Sequence, residues 1–210
     1  MQTLFDPDSK FMHIISRFTE LVTLNFVFFL TCLPIFTIGA ANAALYDVVF
    51  RMDTEREGKT LSTYFRSFKS NFRQGTVTWL RLLLFGAACY VNMVQFSKLG
   101  GTLGYILFLV AMLAFVLTLL VFSYAFPLMS QFRNSTFNTI KNALLISVGY
   151  LPRSILIAVI NCFPWALLLL NLYTFLKLGF LWSFLYFAAA AYCNSRVLNK
   201  VFKPYWEQAA

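Results

Sequence analysis

The chain has 210 residues, of which 60% are apolar and only 12% charged, and phenylalanine alone supplies 25 positions. Soluble domains carry about 45–50% apolar and about 25% charged residues, and a soluble fold of this size still leaves about a third of its extended-chain surface wet. The composition therefore excludes a soluble globule, and its aromatic richness excludes disorder. The net charge of +9, from 17 Lys and Arg against 8 Asp and Glu, is the excess that cytoplasmic loops of membrane proteins collect. No nucleic-acid-reading motif accompanies it.

Taken in chain order, the apolar runs predict an all-α, polytopic membrane bundle forming a single membrane domain. A spanning helix needs about 20 apolar residues, and continuous runs rather than alternating ones exclude a barrel. The first span is Phe18–Ile38. Its apolar core, Leu21–Ile38, is too long for the h-region of a signal peptide, and Asp6 and Asp8 stand where a basic n-region belongs. It is read as a retained helix. A basic cytoplasmic loop, 39–74, follows. Within it Leu61, Tyr64, Phe65, Phe68 and Phe72 recur at helical spacing, with Arg66, Lys69 and Arg73 off that stripe. This is the pattern of a basic amphipathic helix, with Gly58 as its break and Thr60 or Ser62 as its cap.

The second span is 75–96 and the third 103–126, joined by a tight turn at Gly100 and Gly101. A second cytoplasmic loop, 127–151, repeats the mixture of aromatic and basic residues. The fourth span is 152–172. The fifth starts at 178, and its helix continues through Asn194 to about 200. With the N-terminus outside and the C-terminus cytoplasmic, thirteen of the Lys and Arg fall inside and four outside, the distribution that the positive-inside rule selects. Pro34 and Gly39 break the first span near its inner end, so Ala40–Arg51 is also readable as a short re-entering helix that would put the N-terminus inside.

Three groups of residues are candidate sites. The basic amphipathic segment, Tyr64, Phe65, Arg66, Phe68, Lys69, Phe72 and Arg73, is readable as an interfacial helix on anionic lipid, as packing on the second loop, or as helix-in-groove docking to a partner. Asn25, Asn92 and Asn161 lie deep in spans and form a candidate intramembrane polar site, set against ordinary interhelical hydrogen bonding. Pro34 and Gly39 mark a structural corner, with Ala40, Ala41, Ala43 and Ala44 as a small-residue packing face. No charge lies at depth, and Glu20 sits three residues from Arg17. There is no phosphate-binding loop, no nucleophile–histidine–carboxylate set and no metal-ligand spacing. Cys32, Cys89, Cys162 and Cys193 read as small packing residues. Neither an enzyme nor a cofactor or metal site is expected.

Several stretches resemble one family. They are Phe5-Asp6-Pro7-Asp8-Ser9, Leu24-Asn25, Cys32-Leu33-Pro34-Ile35-Phe36-Thr37-Ile38-Gly39, Ala43-Ala44-Leu45-Tyr46, Tyr64 through Gln74, and Lys141-Asn142-Ala143-Leu144. Together they resemble the YesL family, over nearly the whole chain. Ala40 departs from the proline that often follows the Thr-Ile-Gly triplet there. The resemblance implies a multi-pass protein of the bacterial cytoplasmic membrane, of unknown molecular function. It also implies an accessory role in carbohydrate uptake, with membrane lipid and the permease or ATPase subunits of an ABC transporter as partners.

Overall fold

The structure is a computed structural model that describes residues 10–53, 60–170, 172–177, 179 and 185–209. Its regular elements are all helical. They are α1 (Lys10–Cys32), a 3-10 turn (Ile35–Thr37), α2 (Ile38–Asp53), α3 (Thr60–Leu99), α4 (Gly101–Gln131), α5 (Thr136–Gly149), α6 (Leu151–Leu170), α7 (Leu172–Lys177) and α8 (Phe187–Ala209). Four of them, with the 3-10 turn joined to α2, are long and apolar enough to cross a membrane. The number is five if α5 and α6, bent by 109° at their junction, count as one broken span.

Residues 39–74, expected as a loop, are largely helix. The sixteen residues of α2 form the centre of the molecule, with Ala40, Ala41, Ala43, Ala44, Leu45, Val48 and Val49 buried. In Ile35–Met52, 67% of the residues are buried, against 17% for Ile15–Cys32 and 22% and 28% for an 18-residue apolar stretch of α3 and of α4. The apolar residues of α2 are therefore mostly covered by protein, whereas many of those on α1, α3 and the first half of α4 face outward. Gly39 lies against Gly75, and 54–59 join the far end of α2 to Thr60, so α2 runs back along the first four turns of α3. The contact is close because neither residue has a side chain: a Cβ on Gly39 would lie 2.1 Å from the Gly75 carbonyl oxygen.

The amphipathic segment is helical from Thr60 on, so Thr60 and Ser62, expected as caps, lie within the helix, and it does not end before the second span. It is the start of one helix of 40 residues, about 60 Å long at a rise of 1.5 Å. Beyond Leu99 the chain reverses at Gly100 and Gly101, both with φ near +65°, a conformation that only glycine adopts cheaply. The expected loop 127–151 is likewise mostly helical: α4 continues to Gln131, and α5 opens with Ser135 Oγ accepting from the Asn138 N–H at 3.3 Å. Around the α5–α6 bend, Ser154 Oγ lies 2.7 Å from the Ser147 carbonyl and 2.9 Å from Tyr124 Oη.

The start of the expected fifth span, like Phe5–Ser9, lies largely outside the described residues. What is described, α8, is amphipathic: Ala188, Ala191, Asn194, Ser195, Leu198, Val201 and Phe202 face inward, and Arg196, Lys200 and Lys203 outward. Phe202 joins α8 to Phe50 and Phe132, with ring centroids 6.0 and 5.8 Å away. The Arg17–Glu20 pair on α1 closes at 3.5 Å.

Candidate functional site

Of the three asparagines expected to share an intramembrane site, the structure brings together two regions and leaves the third apart. Asn25 on α1 is fully buried, and its Oδ1 accepts the Ala188 backbone N–H at 2.9 Å. The first turn of a helix leaves its N–H groups without intrahelical partners, and here a side chain of α1 supplies one for α8. Asn161 on α6 donates from Nδ2 to Ser123 Oγ at 3.3 Å and accepts at Oδ1 from Asn194 Nδ2 at 2.8 Å. Asn194 Nδ2 also reaches Tyr46 Oη at 3.3 Å. The series Ser123, Asn161, Asn194, Tyr46 thus ties α4, α6, α8 and α2 together through neutral groups. Asn194 Oδ1 is buried and has no hydrogen-bond partner among the described residues.

A proline belongs to the same region. Pro164 has no N–H to give the carbonyl four residues back, which is that of Ile160. The Tyr186 hydroxyl donates to that carbonyl. Tyr186 also lines a small cavity of about 50 Å³, together with Phe28, Asn42, Leu45, Tyr46 and Asn161. A water needs about 10–15 Å³ of such space, so the cavity has room for a few waters. Asn42 turns its amide to its own helix, donating to the Ile38 carbonyl at 3.0 Å. Asn194, Tyr46 and Tyr186 were not singled out from the sequence. The available signal was an amide following the alanine run Ala188–Ala191, where a small-residue helix face brings neighbours close.

Asn92 lies elsewhere. It is exposed on α3, in the part that packs on α4 through Gly86 and Gly104.

The basic aromatic segment is divided by its packing. Tyr64 is fully buried, with Oη 2.6 Å from Thr31 Oγ1, and its ring stacks on Phe68 at 6.3 Å. Phe68 in turn meets Phe72 edge-on at 5.6 Å. Leu61, Phe65 and Phe72 remain exposed, and so do Arg66, Lys69 and Arg73. Gln74 anchors the end of the segment, donating from Nε2 to the Asn134 carbonyl at 2.8 Å. One flank is therefore internal packing, partly against the start of α5, and the other is open.

Pro34 and Gly39 stand on either side of the 3-10 turn that redirects the chain from α1 into α2. Thr37 Oγ1 closes the turn, 2.5 Å from the Thr31 carbonyl and 2.6 Å from that of Pro34. Trp79 Nε1 donates to the Ile35 carbonyl at 2.8 Å. Leu33, Ile35 and Phe36 are exposed beside it.

The segment that carries the corner, α2 and most of α3 is the one that comparison with known proteins picks out. Residues 21–93 match the family described as "Protein of unknown function, DUF624". The expected resemblance to a family of uncharacterised YesL-like proteins is thereby borne out. The chain is also 25% identical over 196 residues to the uncharacterized protein YteU of Bacillus subtilis, an alignment covering 91% of this chain and 83% of YteU. No solved structure matches the chain.

Proposed function

We propose that this is a non-enzymatic, multi-pass protein of the bacterial cytoplasmic membrane that assists a carbohydrate ABC transporter, and that the start of α3 is its cytoplasmic docking element. The observation that carries this reading is the continuity of α3. A helix of 40 residues is about 60 Å long, twice the hydrocarbon thickness of about 30 Å. Trp79 and Arg81 mark the level at which it enters the membrane, because Trp favours the interface and Arg can snorkel to it. Everything from Thr60 to Thr78 then stands on the cytoplasmic side.

This geometry favours partner docking over an interfacial helix. Without proline between Thr60 and Leu99 the helix has no strong cause to kink, so its first turns project away from lipid rather than lying on it. They still expose Leu61, Phe65 and Phe72 beside Arg66, Lys69 and Arg73. Apolar side chains held in water on a rigid helix, flanked by cations, fit a partner surface with an apolar centre and an acidic rim. On this reading α2 is a core helix on the cytoplasmic side, with the N-terminus outside and the C-terminus inside.

A stand-alone solute carrier finds less support. The interior amides are bonded to one another, and a cavity of about 50 Å³ has no room for a monosaccharide. The deciding experiment installs a photo-crosslinking residue at Phe65 or Arg66 of the full chain in its native cells. Capture of a permease or ATPase subunit is expected; repeated capture of neither, with the protein present in the membrane, sinks the proposal.

A further inference from the structure

The sixteen residues between Arg81 and Lys98 are uncharged and about 24 Å long, the part of α3 that crosses the hydrocarbon. Asn92 lies within it, six residues from Lys98 and eleven from Arg81. Its side chain is exposed and has no hydrogen-bond partner among the described residues, and the same is true of Gln95. Both face away from α4: the buried positions of this stretch are Leu82, Gly86 and Cys89, with Thr118 of α4 packed opposite Gly86. Two primary amides therefore point from a membrane-crossing helix toward lipid, where an unsatisfied polar group costs several kcal/mol.

Their neighbours form a pattern. Phe85, Ala88, Asn92, Gln95 and Leu99 follow each other at spacings of three and four, all exposed. This is the seam of a two-helix packing, with a small residue at Ala88 that lets backbones approach. An amide both donates and accepts, so Asn92 is complementary to Asn92 of a second copy across a two-fold axis along the membrane normal. A single asparagine at a core position fixes pairing and register in soluble coiled coils in the same way.

We infer that the chain forms a dimer in the membrane through this face of α3, with Asn92 paired to its counterpart and Gln95 completing the network. The inference uses a different part of α3 from the cytoplasmic docking reading and does not depend on it.

The test uses the full chain, reconstituted in vesicles of phosphatidylcholine and phosphatidylglycerol at low protein density. Counting fluorophores per vesicle on the wild-type protein requires no cysteine changes. It is expected to show dimers, and Asn92→Leu is expected to weaken association about 5- to 30-fold. With the four native cysteines replaced, Asn92→Cys and Ala88→Cys should form disulfide-linked dimers on oxidation. Val94→Cys, exposed on the opposite flank of α3, should not. A monomeric wild type, an Asn92→Leu dimer of unchanged stability, or cross-linking at Val94 equal to that at Asn92 would each overturn the inference. So would cross-linking of Asn92→Cys in cells to a different protein in place of itself.

Discussion

Gly39 and Gly75 set a close approach between α2 and α3, and neither tolerates a side chain. A Cβ on Gly75 would come within 2.7 Å of the Ala40 nitrogen, with backbone rather than a flexible side chain in the way. Gly39→Ala and Gly75→Ala are expected to destabilise by about 1–3 kcal/mol or more through forced separation of the helices. Gly86 is the internal control: its added Cβ would meet Thr118 Cγ2 at an ordinary 3.6 Å, so Gly86→Ala should be neutral or stabilising by up to about 1 kcal/mol. Thermal melting of the three variants in one detergent gives the comparison, and equal shifts for Gly39 and Gly86 would contradict the packing argument. A second test concerns Tyr186. Tyr186→Phe removes the donor that serves the Ile160 carbonyl beside Pro164, and leaving a buried acceptor unpaired costs about 1–3 kcal/mol. In a Pro164→Ala background the helix regains its own N–H for that carbonyl, so the same Tyr186→Phe change should become nearly neutral. A double-mutant cycle on melting temperatures reads that coupling. The depth of Asn25 and Asn161 was legible from sequence, because an amide within an apolar run has a definite place along it. Direction around the helix was not. Asn92 looked equivalent to them until the packing of α3 on α4 determined which way it points.

At the scale of elements, the sequence located α4 and α6, divided α3 into an amphipathic helix and a span, and offered α2 only as one of two readings. The reason is physical. Hydropathy reports that a segment avoids water but does not report whether lipid or protein covers it. Following the break at Pro34 and Gly39, the alanine-rich stretch is readable either as loop or as a short re-entering helix. It is a helix whose small residues admit α3, α4 and α8 on several sides at once. Val49 is fully buried there. Val49→Asp is therefore expected to destabilise by about 3 kcal/mol or more, since a lone carboxylate would have to be dehydrated or protonated. Leu61→Asp, on the exposed flank of α3, should leave folding within about 0.5 kcal/mol of wild type. The yield of monodisperse protein after extraction separates the two, and a well-tolerated Val49→Asp change would mean that α2 is not the core helix described. The aromatic stripe of the amphipathic segment was visible in sequence as one surface. It is in fact two, because α3 is packed on only one side: Tyr64 and Phe68 turn inward while Leu61, Phe65 and Phe72 stay out.

For the whole molecule, charge and burial bear separately on the proposed orientation. Under the positive-inside rule the basic residues favour the loops inside, an argument that uses no contact. Burial removes α2 from the set of lipid-facing helices without using any charge. If α2 is a core helix beside the charged turns of α3, then α1 is the one crossing before the 60–74 stretch, and the N-terminus lies opposite that stretch. If α2 crosses, both lie on the same side. Single cysteines at exposed positions, in a background without the native cysteines, distinguish the two. Ser16→Cys and Ser97→Cys should react with an impermeant thiol reagent applied to intact cells. Ser62→Cys and Glu207→Cys should react only after the membrane is opened. The pair Ser16 and Ser62 decides the matter, because Ser97 and Glu207 keep their sides under either path. Ser16 protected together with Ser62 would return α2 to the membrane, remove the argument that the first turns of α3 stand in water, and leave the amphipathic segment to be explained by lipid.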